Sequence, residues 1–485
     1  MCRLLLLGLA LCGTAQATPP PRVEMTVTPA WKGWARPGRA TEVDVRLTSG
    51  AATRATLDVV ADRHAVGAEV DLEPGRAVRL QVPVASAKRI VVSAAAPGAP
   101  PQRRDIELAQ SESPLLGVAL ATDERVDLEG FHTVALAADD LPRNASAFLT
   151  IDALVVDAPT LSALDPRQLG ALLAHAAACG RVVMLNTDPR VRRLLDGAGG
   201  CGGRALMSAA SLADAKAMLA SSLAVSMPAA ISPGVLADLS RPDQVVWNRV
   251  AVALAVYFAA AALALLFVSS LPVLVLTPAL AGVAVLALLH AKQPQSQLVV
   301  WSEGESGSQV ARYQAWQRFP GLVRERMRVP IPPQLASSAH SCESTQALRL
   351  DFDASRGSFA FAEFETRLFR QVSLCYAGSF PMARAIEIAA RADGMREVRN
   401  VGTMAWPRGA LLDRGLVHDL PALGAAAHTT LGEQTGKLLR DAVVRTALTR
   451  IRPDGFAALW ELELGGVADV GVESKGWLLV SMASP

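Results

Sequence analysis

The sequence has little charge and few aromatic side chains for its length. Of its 485 residues, 19% are charged and 5% are aromatic, whereas soluble domains are about 25% charged. The 47 basic residues nearly balance the 45 acidic ones, which argues against a generally basic nucleic-acid binder. The hydrophobic share of 51% excludes a disordered chain, because such chains are polar and highly charged.

The sequence also lacks the short motifs of several enzyme classes. No G-x-G-x-x-G follows the first strand of the α/β segment described below, so a dinucleotide site is unsupported. Neither the phosphate-binding G-x-x-x-x-G-K-[ST] nor the nucleophile motif G-x-S-x-G occurs. We therefore expect no cofactor, no metal and no nucleic-acid partner, and we assign no catalytic residue.

The first residues predict a signal peptide over 1–17. Arg3 gives a short basic start, an apolar run follows, and Ala15-Gln16-Ala17 fits the cleavage site of secreted proteins. The apolar run is too short for a stable membrane anchor. An uncleaved N-terminal anchor is the alternative.

A longer apolar block predicts two transmembrane helices, at 250–268 and 271–289. Neither stretch holds a charged residue, and Pro272 interrupts the block. About 20 residues cross the hydrocarbon core, so two helices and a tight turn fit better than one helix. A helical hairpin buried in a soluble core is the alternative. Counting crossings from the signal peptide predicts a bacterial inner-membrane protein with both flanking regions in the periplasm.

Four cysteines remain once the predicted signal peptide is set aside. Cys179 and Cys201 precede the apolar block, and Cys342 and Cys375 follow it. Two cysteines on each side are compatible with one disulfide in each region in an oxidising compartment. Free buried cysteines are the alternative.

Two regions have the alternating pattern of β-strands. Over 22–110, short apolar-polar alternations are separated by turn signals such as Glu73-Pro74-Gly75, which predicts an immunoglobulin-like β-sandwich. Over 297–485, similar alternations predict a β-rich domain with one amphipathic helix near 435–450. Both regions are typical of binding or spacing modules.

Residues 112–225 predict an α/β domain with a parallel sheet. Apolar runs at 115–121, 134–138, 153–156 and 181–185 alternate with helical segments. One helix begins with Asp165-Pro166-Arg167-Gln168, in which Asp165 caps the helix and Gln168 reaches back to it. Gly180 is predicted to end this helix in a left-handed cap.

Three stretches of this domain resemble the class I glutamine amidotransferase-like domain. They are 151–157, 164–172 and 180–185, and the architecture is similar to that of uncharacterised two-pass bacterial envelope proteins. Active members of that family use a cysteine nucleophile on a glycine-flanked turn after a strand. Here Asn186-Thr187-Asp188 follows the strand, so the resemblance implies a domain without its catalytic machinery.

A few other residues are candidates for chemistry or binding. Asp157 and Asp123 are the candidate ligand-binding carboxylates, because ligands bind at the carboxyl ends of parallel strands. Cys201 lies among glycines but follows no strand. The spacing of His175 and Cys179 fits two metal ligands or a packed helix face.

Two further groups of side chains are candidate binding surfaces, and each has a plainer structural interpretation. Trp31 and Trp34 predict either a sugar-stacking ledge or core packing. Arg324, Arg326 and Arg328 alternate along one strand and predict either a partner-binding face or a solvated one.

These observations predict a non-catalytic scaffold anchored in the inner membrane, with periplasmic interaction domains that contact other envelope proteins. A periplasmic carbohydrate-binding module is one alternative. A cysteine-dependent amidase or hydrolase that uses Cys201, or one that uses Asp157, is the other.

Overall fold

The fold is known from a computed structural model. The structure describes residues 22–37, 39–122, 128–177, 180–186, 206–224, 232–239, 255, 258, 296–307, 310–319, 324–333, 335–336, 339–342, 347–366, 372–381, 386–391, 395–413, 416–431, 442–451, 456–462 and 472–481. All structural statements below refer to these residues.

The predicted fold class is wrong in its membrane hairpin. Among the described residues, no helix has the length and apolar character needed to cross a membrane. The longest described helix, Leu212–Ala224, has 13 residues, against about 20 for a span. The stretches 250–268 and 271–289 lie outside the described residues except at 255 and 258. The predictions of the membrane as a partner and of an inner-membrane location depend on this hairpin, and both are wrong for the same reason.

The first part of the chain forms nine strands. They are β1 (Val23–Pro29), β2 (Trp34–Ala35), β3 (Ala40–Ser49), β4 (Thr53–Ala61), β5 (His64–Leu72), β6 (Val78–Ala85), β7 (Arg89–Ala95), β8 (Gln102–Glu107) and β9 (Ala109–Gln110). Strands β1, β3 and β6 form one antiparallel sheet. Strands β5, β4, β7 and β8 are neighbours in a second sheet, and the apolar faces of the two sheets pack together.

The middle part forms a five-stranded parallel sheet with helices on both faces. Its elements are β10 (Leu115–Ala119), β11 (His132–Leu136), β12 (Ala153–Asp157), α1 (Ala158–Ala163), α2 (Pro166–Ala177), β13 (Arg181–Leu185), β14 (Leu206–Ala209) and α3 (Leu212–Ala224). The strand order is β11-β10-β12-β13-β14, and every pair is parallel. Side chains of α1 and α2 cover one face, and side chains of α3 cover the other.

The last part is again rich in strands. It contains α4 (Pro233–Leu239), β15 (Ser296–Glu305), β16 (Val310–Phe319), β17 (Glu325–Pro330), β18 (His340–Ser341), β19 (Leu348–Asp353), β20 (Ser358–Thr366), β21 (Val372–Pro381), β22 (Ile386–Ala390), β23 (Arg396–Asn400), β24 (Gly409–Asp413), β25 (Leu416–Leu420), β26 (His428–Leu431), α5 (Ala442–Arg450), β27 (Phe456–Leu462) and β28 (Val472–Ser481). Eight of these strands form one sheet in the order β18-β21-β16-β15-β28-β27-β24-β25.

The first and last parts of the chain share a sheet. Strand β19 pairs in parallel with β5, so that Leu348 lies opposite His64. The resulting seven-stranded sheet has the order β17-β20-β19-β5-β4-β7-β8. Its apolar face contributes to a core that combines Val59 and Ile90 with Phe352 and Phe364. The pair β5–β19 is called the seam below.

Candidate functional site

The α/β segment covers the outer face of the β1-β3-β6 sheet. Alternate residues of β3, such as Val43 and Val45, face the sandwich core, so the residues between them point outward. The 3-10 helix Ala145–Thr150 packs on this outward face. The Thr150 hydroxyl donates a hydrogen bond to the carbonyl of Ala40. This contact, between β3 and residues 141–152, is called the junction.

Trp31 connects the sandwich to the core of the α/β segment. It lies in the turn after β1 and has a φ of 54°, a conformation that L-residues rarely adopt. Its side chain is fully buried among α/β residues, with its ring centroid 5.4 Å from that of Phe148. Its Nε1 donates to the carbonyl of Ala147 at 2.9 Å. A sugar therefore has no access to Trp31, and Trp34 packs on His132.

Ion pairs hold the same junction at its edge. Asp152 accepts hydrogen bonds from Arg36 at 2.7 Å and from Arg39 at 2.8 Å. It also accepts from the backbone N–H of Leu115 at 2.8 Å. Asp152 precedes β12, so the sandwich lies at the amino ends of the parallel strands. The carboxyl ends, where ligands bind in such sheets, lie on the opposite side.

Asp157 lies where a ligand of a parallel sheet is expected. It ends β12 beside β10, the first strand, at the point where the strand order reverses. Its carboxylate accepts from the backbone N–H of Thr160 at 2.9 Å and of Ala121 at 2.8 Å. Asp157 is thus the N-cap of α1. The second candidate, Asp123, lies outside the described residues.

The predicted capping box at the start of α2 is confirmed. Asp165 Oδ1 accepts from the backbone N–H groups of Arg167 and Gln168, each at 2.9 Å. Gln168 Oε1 accepts in return from the backbone N–H of Asp165 at 3.1 Å. The Gln168 amide also donates to two carbonyls of the preceding segment, which fixes α2 against the junction.

The role predicted for Gly180 is wrong, because its φ is not positive. Gly180 instead leaves room for a neighbouring side chain. A Cβ atom at this position would overlap the ring of His175. That ring is buried and stacks on Phe148, with centroids 5.1 Å apart, and its Nε2 has no hydrogen-bond partner among the described residues. Burial lowers the pKa of His175 to about 4, so the ring is neutral at physiological pH.

We expect Gly180→Ala to destabilise the protein by about 1–3 kcal/mol, because the added methyl group displaces a packed ring. Gly170→Ala is the matched control. Gly170 lies in α2 with open space around its Cβ position, so alanine there should stabilise by about 0.5–1 kcal/mol. Urea unfolding of both variants tests this, and equal shifts in one direction would contradict it.

The structure describes two of the four cysteines outside the predicted signal peptide. Cys342 and Cys375 form a disulfide, with Cα atoms 5.1 Å apart. Cys179 and Cys201 lie outside the described residues, so their disulfide, metal and nucleophile roles stay predictions. Among the described residues, no group of three or more His, Cys, Asp or Glu side chains is placed to hold a metal.

An open groove lies at one end of the seam. Its volume is about 600 Å³, and the first and last parts of the chain both contribute to its lining. The lining contains four arginines and three glutamates, namely Arg63, Arg324, Arg326, Arg349, Glu325, Glu363 and Glu365. Gly67 leaves space for the Arg349 guanidinium beside this groove, because a Cβ at position 67 would overlap it. Arg349 crosses the seam to Asp58 at 2.7 Å.

Two of the three alternating arginines of the sequence, Arg324 and Arg326, line this groove, and Arg328 lies beside its Glu363. Arg324 pairs with Glu365, and Arg326 pairs with Glu363 at 3.1 Å. Arg328 contacts Asp351 at 2.8 Å and lies over the ring of Phe361. The side chains of Arg324 and Arg326 are 77% and 79% exposed. Both therefore remain accessible from solvent although each is paired.

A small cavity of about 40 Å³ lies where the three parts of the chain meet. Its lining includes His64 of β5, His340 of β18 and Leu149 of the junction. Burial, together with the charge of His340, lowers the pKa of His64. The cavity holds no more than a few water molecules, so it is not a substrate site.

Comparison with known proteins does not assign a family. No protein family and no curated protein matches the chain. The chain is similar to the yeast delta-COP-I μ-homology domain in complex with a Dsl1 WxWxV peptide. The two are 7% identical, with a TM-score of 0.21 over 39% of this chain and 94% of that one. The same domain without the peptide is 6% identical, with a TM-score of 0.20 and the same coverage. TM-scores this low carry no argument, and the amidotransferase-like resemblance stays a prediction.

The sequence indicated part of this site. The alternation of Arg324, Arg326 and Arg328 marks one strand face, and the structure gives that face its acidic partners. The groove itself has no local signal, because Arg63 and Arg349 meet only through the seam. The burial of Glu42, an outward-facing residue of β3 at the junction, has no local signal either.

Proposed function

We propose that this chain is a non-catalytic scaffold that binds an acidic, extended segment of a partner polypeptide in the groove at the seam. The observation that carries the proposal is the groove lining, which contains four arginines and three glutamates. The proposal keeps the scaffold role expected from the sequence and does not include a membrane anchor.

The structural contacts made by the other candidate polar side chains support a non-catalytic role. Asp157 and Asp165 are helix caps, and the His175 ring is enclosed. Cys342 and Cys375 are joined to each other. These residues are occupied by structural contacts, whereas Arg324 and Arg326 of the groove are largely exposed to solvent.

The spacing of the arginines favours an extended ligand. Arg324 and Arg326 are two residues apart, which is about 7 Å along a strand. Carboxylates on alternate residues of an extended peptide have the same repeat. Each guanidinium has five N–H donors, and the pairing to Glu365 or Glu363 uses one nitrogen. Exposed ion pairs contribute about 0–1 kcal/mol, so a ligand carboxylate can join or replace them at low cost.

A binding measurement with poly-L-glutamate tests the proposal. We expect the full chain to bind the labelled polymer in fluorescence anisotropy, with an affinity that falls as salt increases. The double variant Arg324→Gln, Arg326→Gln should bind at least about tenfold more weakly, because it loses two charge-assisted contacts. Poly-L-lysine should not bind to the groove.

The matched control removes the same charge from the other edge of the sheet. Arg103 and Arg104 lie exposed on β8, the strand farthest from β17. The variant Arg103→Gln, Arg104→Gln should bind poly-L-glutamate as the unchanged chain does. Equal weakening in both double variants would show general charge attraction and would contradict a groove-specific site.

The carbohydrate-binding and hydrolase alternatives have less support. The ledge of Trp31 and Trp34 is not available, because Trp31 is fully buried. Cys201 lies outside the described residues, and both carboxylate oxygens of Asp157 accept backbone hydrogen bonds.

A further inference from the structure

Glu42 is a carboxyl group buried by the junction. Strand β3 is in register with β6 so that Glu42 lies opposite Pro83, between the inward-facing Thr41 and Val43. Glu42 therefore belongs to the outward face of the sandwich. Its exposure is nevertheless 2%, and the element that packs on this face is the 3-10 helix Ala145–Thr150. The contact with the α/β segment accounts for the burial.

The surroundings of Glu42 do not neutralise a negative charge. The backbone N–H of Arg143 donates to the carboxyl group, and in the described part of the chain Oε2 has no hydrogen-bond partner. Asp44 adds a second negative charge on the same strand and pairs with Arg79 of β6. The Arg143 side chain pairs with Asp165. No ion pair to Glu42 occurs among the residues that the structure describes.

The charged groups that face Glu42 come from three elements. They are Asp44 of β3, Arg79 of β6 and Arg143 before the 3-10 helix Ala145–Thr150, with Asp139 acting on Arg79. Burial, followed by the charge of Asp44, raises the pKa of Glu42 to about 8, although Arg79 and Arg143 oppose the rise. An exposed glutamate has a pKa near 4.3.

We propose that closure of the junction is coupled to the binding of one proton by Glu42, so that the contact between the sandwich and the α/β segment weakens as pH rises. In the closed state Glu42 is a neutral carboxylic acid. When the junction opens, the carboxyl group reaches water and releases that proton to solvent. The junction is then a pH-sensitive contact within the chain, separate from the groove.

The direction of the pH dependence of junction stability follows from thermodynamic linkage between proton binding and closure. A raised pKa in the closed state gives stability that is complete below the unperturbed pKa and is lost as pH rises through about 8. Well between these values the open state holds one proton fewer, so the opening equilibrium grows about tenfold per pH unit, and it grows more slowly as pH approaches 8. The pKa values of His64 and His175 are lowered from 6.5, so both rings are largely neutral above that pH. Because His340 lines the same cavity as Leu149 of the junction, a trend between pH 6.5 and 8 is assigned to Glu42 only by its loss in Glu42→Gln.

Hydrogen exchange of the full chain tests the proposal. Exchange is measured by mass spectrometry at pH 6.5, 7.0, 7.5 and 8.0 and corrected for intrinsic amide rates. Peptides from 141–152 report on the junction, and peptides from β4 report on the sandwich core. We expect opening at 141–152 to increase about tenfold per pH unit below about pH 7 and less steeply towards pH 8, with no pH trend in β4.

Variants separate the proton of Glu42 from other effects. Glu42→Gln should abolish the pH trend at 141–152, and Glu42→Met should do so if the glutamine side chain disturbs the fold. Glu69→Gln is the control, because Glu69 is 65% exposed on β5, and it should keep the full trend. A flat profile in the unchanged chain would overturn the proposal. So would a trend that persists in Glu42→Gln, or an equal trend in β4, which would mean that the whole chain opens.

Discussion

Replacing Trp31 with alanine is expected to lower the free energy of unfolding by about 3–5 kcal/mol. The ring is fully buried, packs edge-on against Phe148 and donates a hydrogen bond to Ala147. Its removal leaves a cavity in the α/β core and an unpaired carbonyl. Because Trp31 belongs to the sandwich by sequence, the loss should also loosen the junction.

Urea unfolding measures the first effect, and hydrogen exchange at 145–150 measures the second. Trp31→Phe keeps an aromatic ring but loses the Nε1 hydrogen bond, so it should retain much of the stability. Lys32→Ala is the control at the next position, because Lys32 has a similar φ of 51° and an exposed side chain. It should shift stability by no more than about 0.5 kcal/mol. A comparable loss in Lys32→Ala would mean that the turn, and not the indole, carries the effect.

Removal of the disulfide between Cys342 and Cys375 is expected to lower stability by about 3–4 kcal/mol, because the bond closes a long loop in the unfolded chain. The two residues are 33 positions apart. Cys375 lies in β21 between β16 and β18, so the bond also links the residue that follows β18 to the neighbouring strand.

The measurement compares the unchanged chain with the double variant Cys342→Ala, Cys375→Ala, each with and without dithiothreitol. The reductant should destabilise the unchanged chain to the level of the double variant and should add little to the variant itself. If the unchanged chain unfolds identically with and without reductant, the two thiols are not joined, and the prediction is wrong.

The α/β segment was the most predictable part of the fold, because its signals are local. The runs at 153–156 and 181–185 coincide with β12 and β13 to within one residue. Asp165 and Gln168 form the expected capping box. Gly180 shows the limit of such reasoning. A glycine at a helix end predicts a left-handed cap, but the side chain that excludes a Cβ here belongs to His175.

The features that define the candidate sites depend on distant contacts. The register that places Leu348 opposite His64 is set by packing between the two ends of the chain. The alternation of β3 predicts an outward Glu42, and only the covering α/β segment makes it buried. The prediction of a membrane hairpin rests on the absence of charge, the length of the block and Pro272, which are local features that do not report how the chain packs.

The seam has a consequence for biosynthesis. Strand β5 acquires its parallel neighbour from residues about 280 positions later, which at 5–20 residues per second is about 15–60 s of translation. During that interval one edge of β5 carries unpaired backbone groups, a known template for aggregation. The nascent N-terminal sandwich therefore needs shielding, by a chaperone or by its own charged residues, until the ribosome has released the strand that completes it.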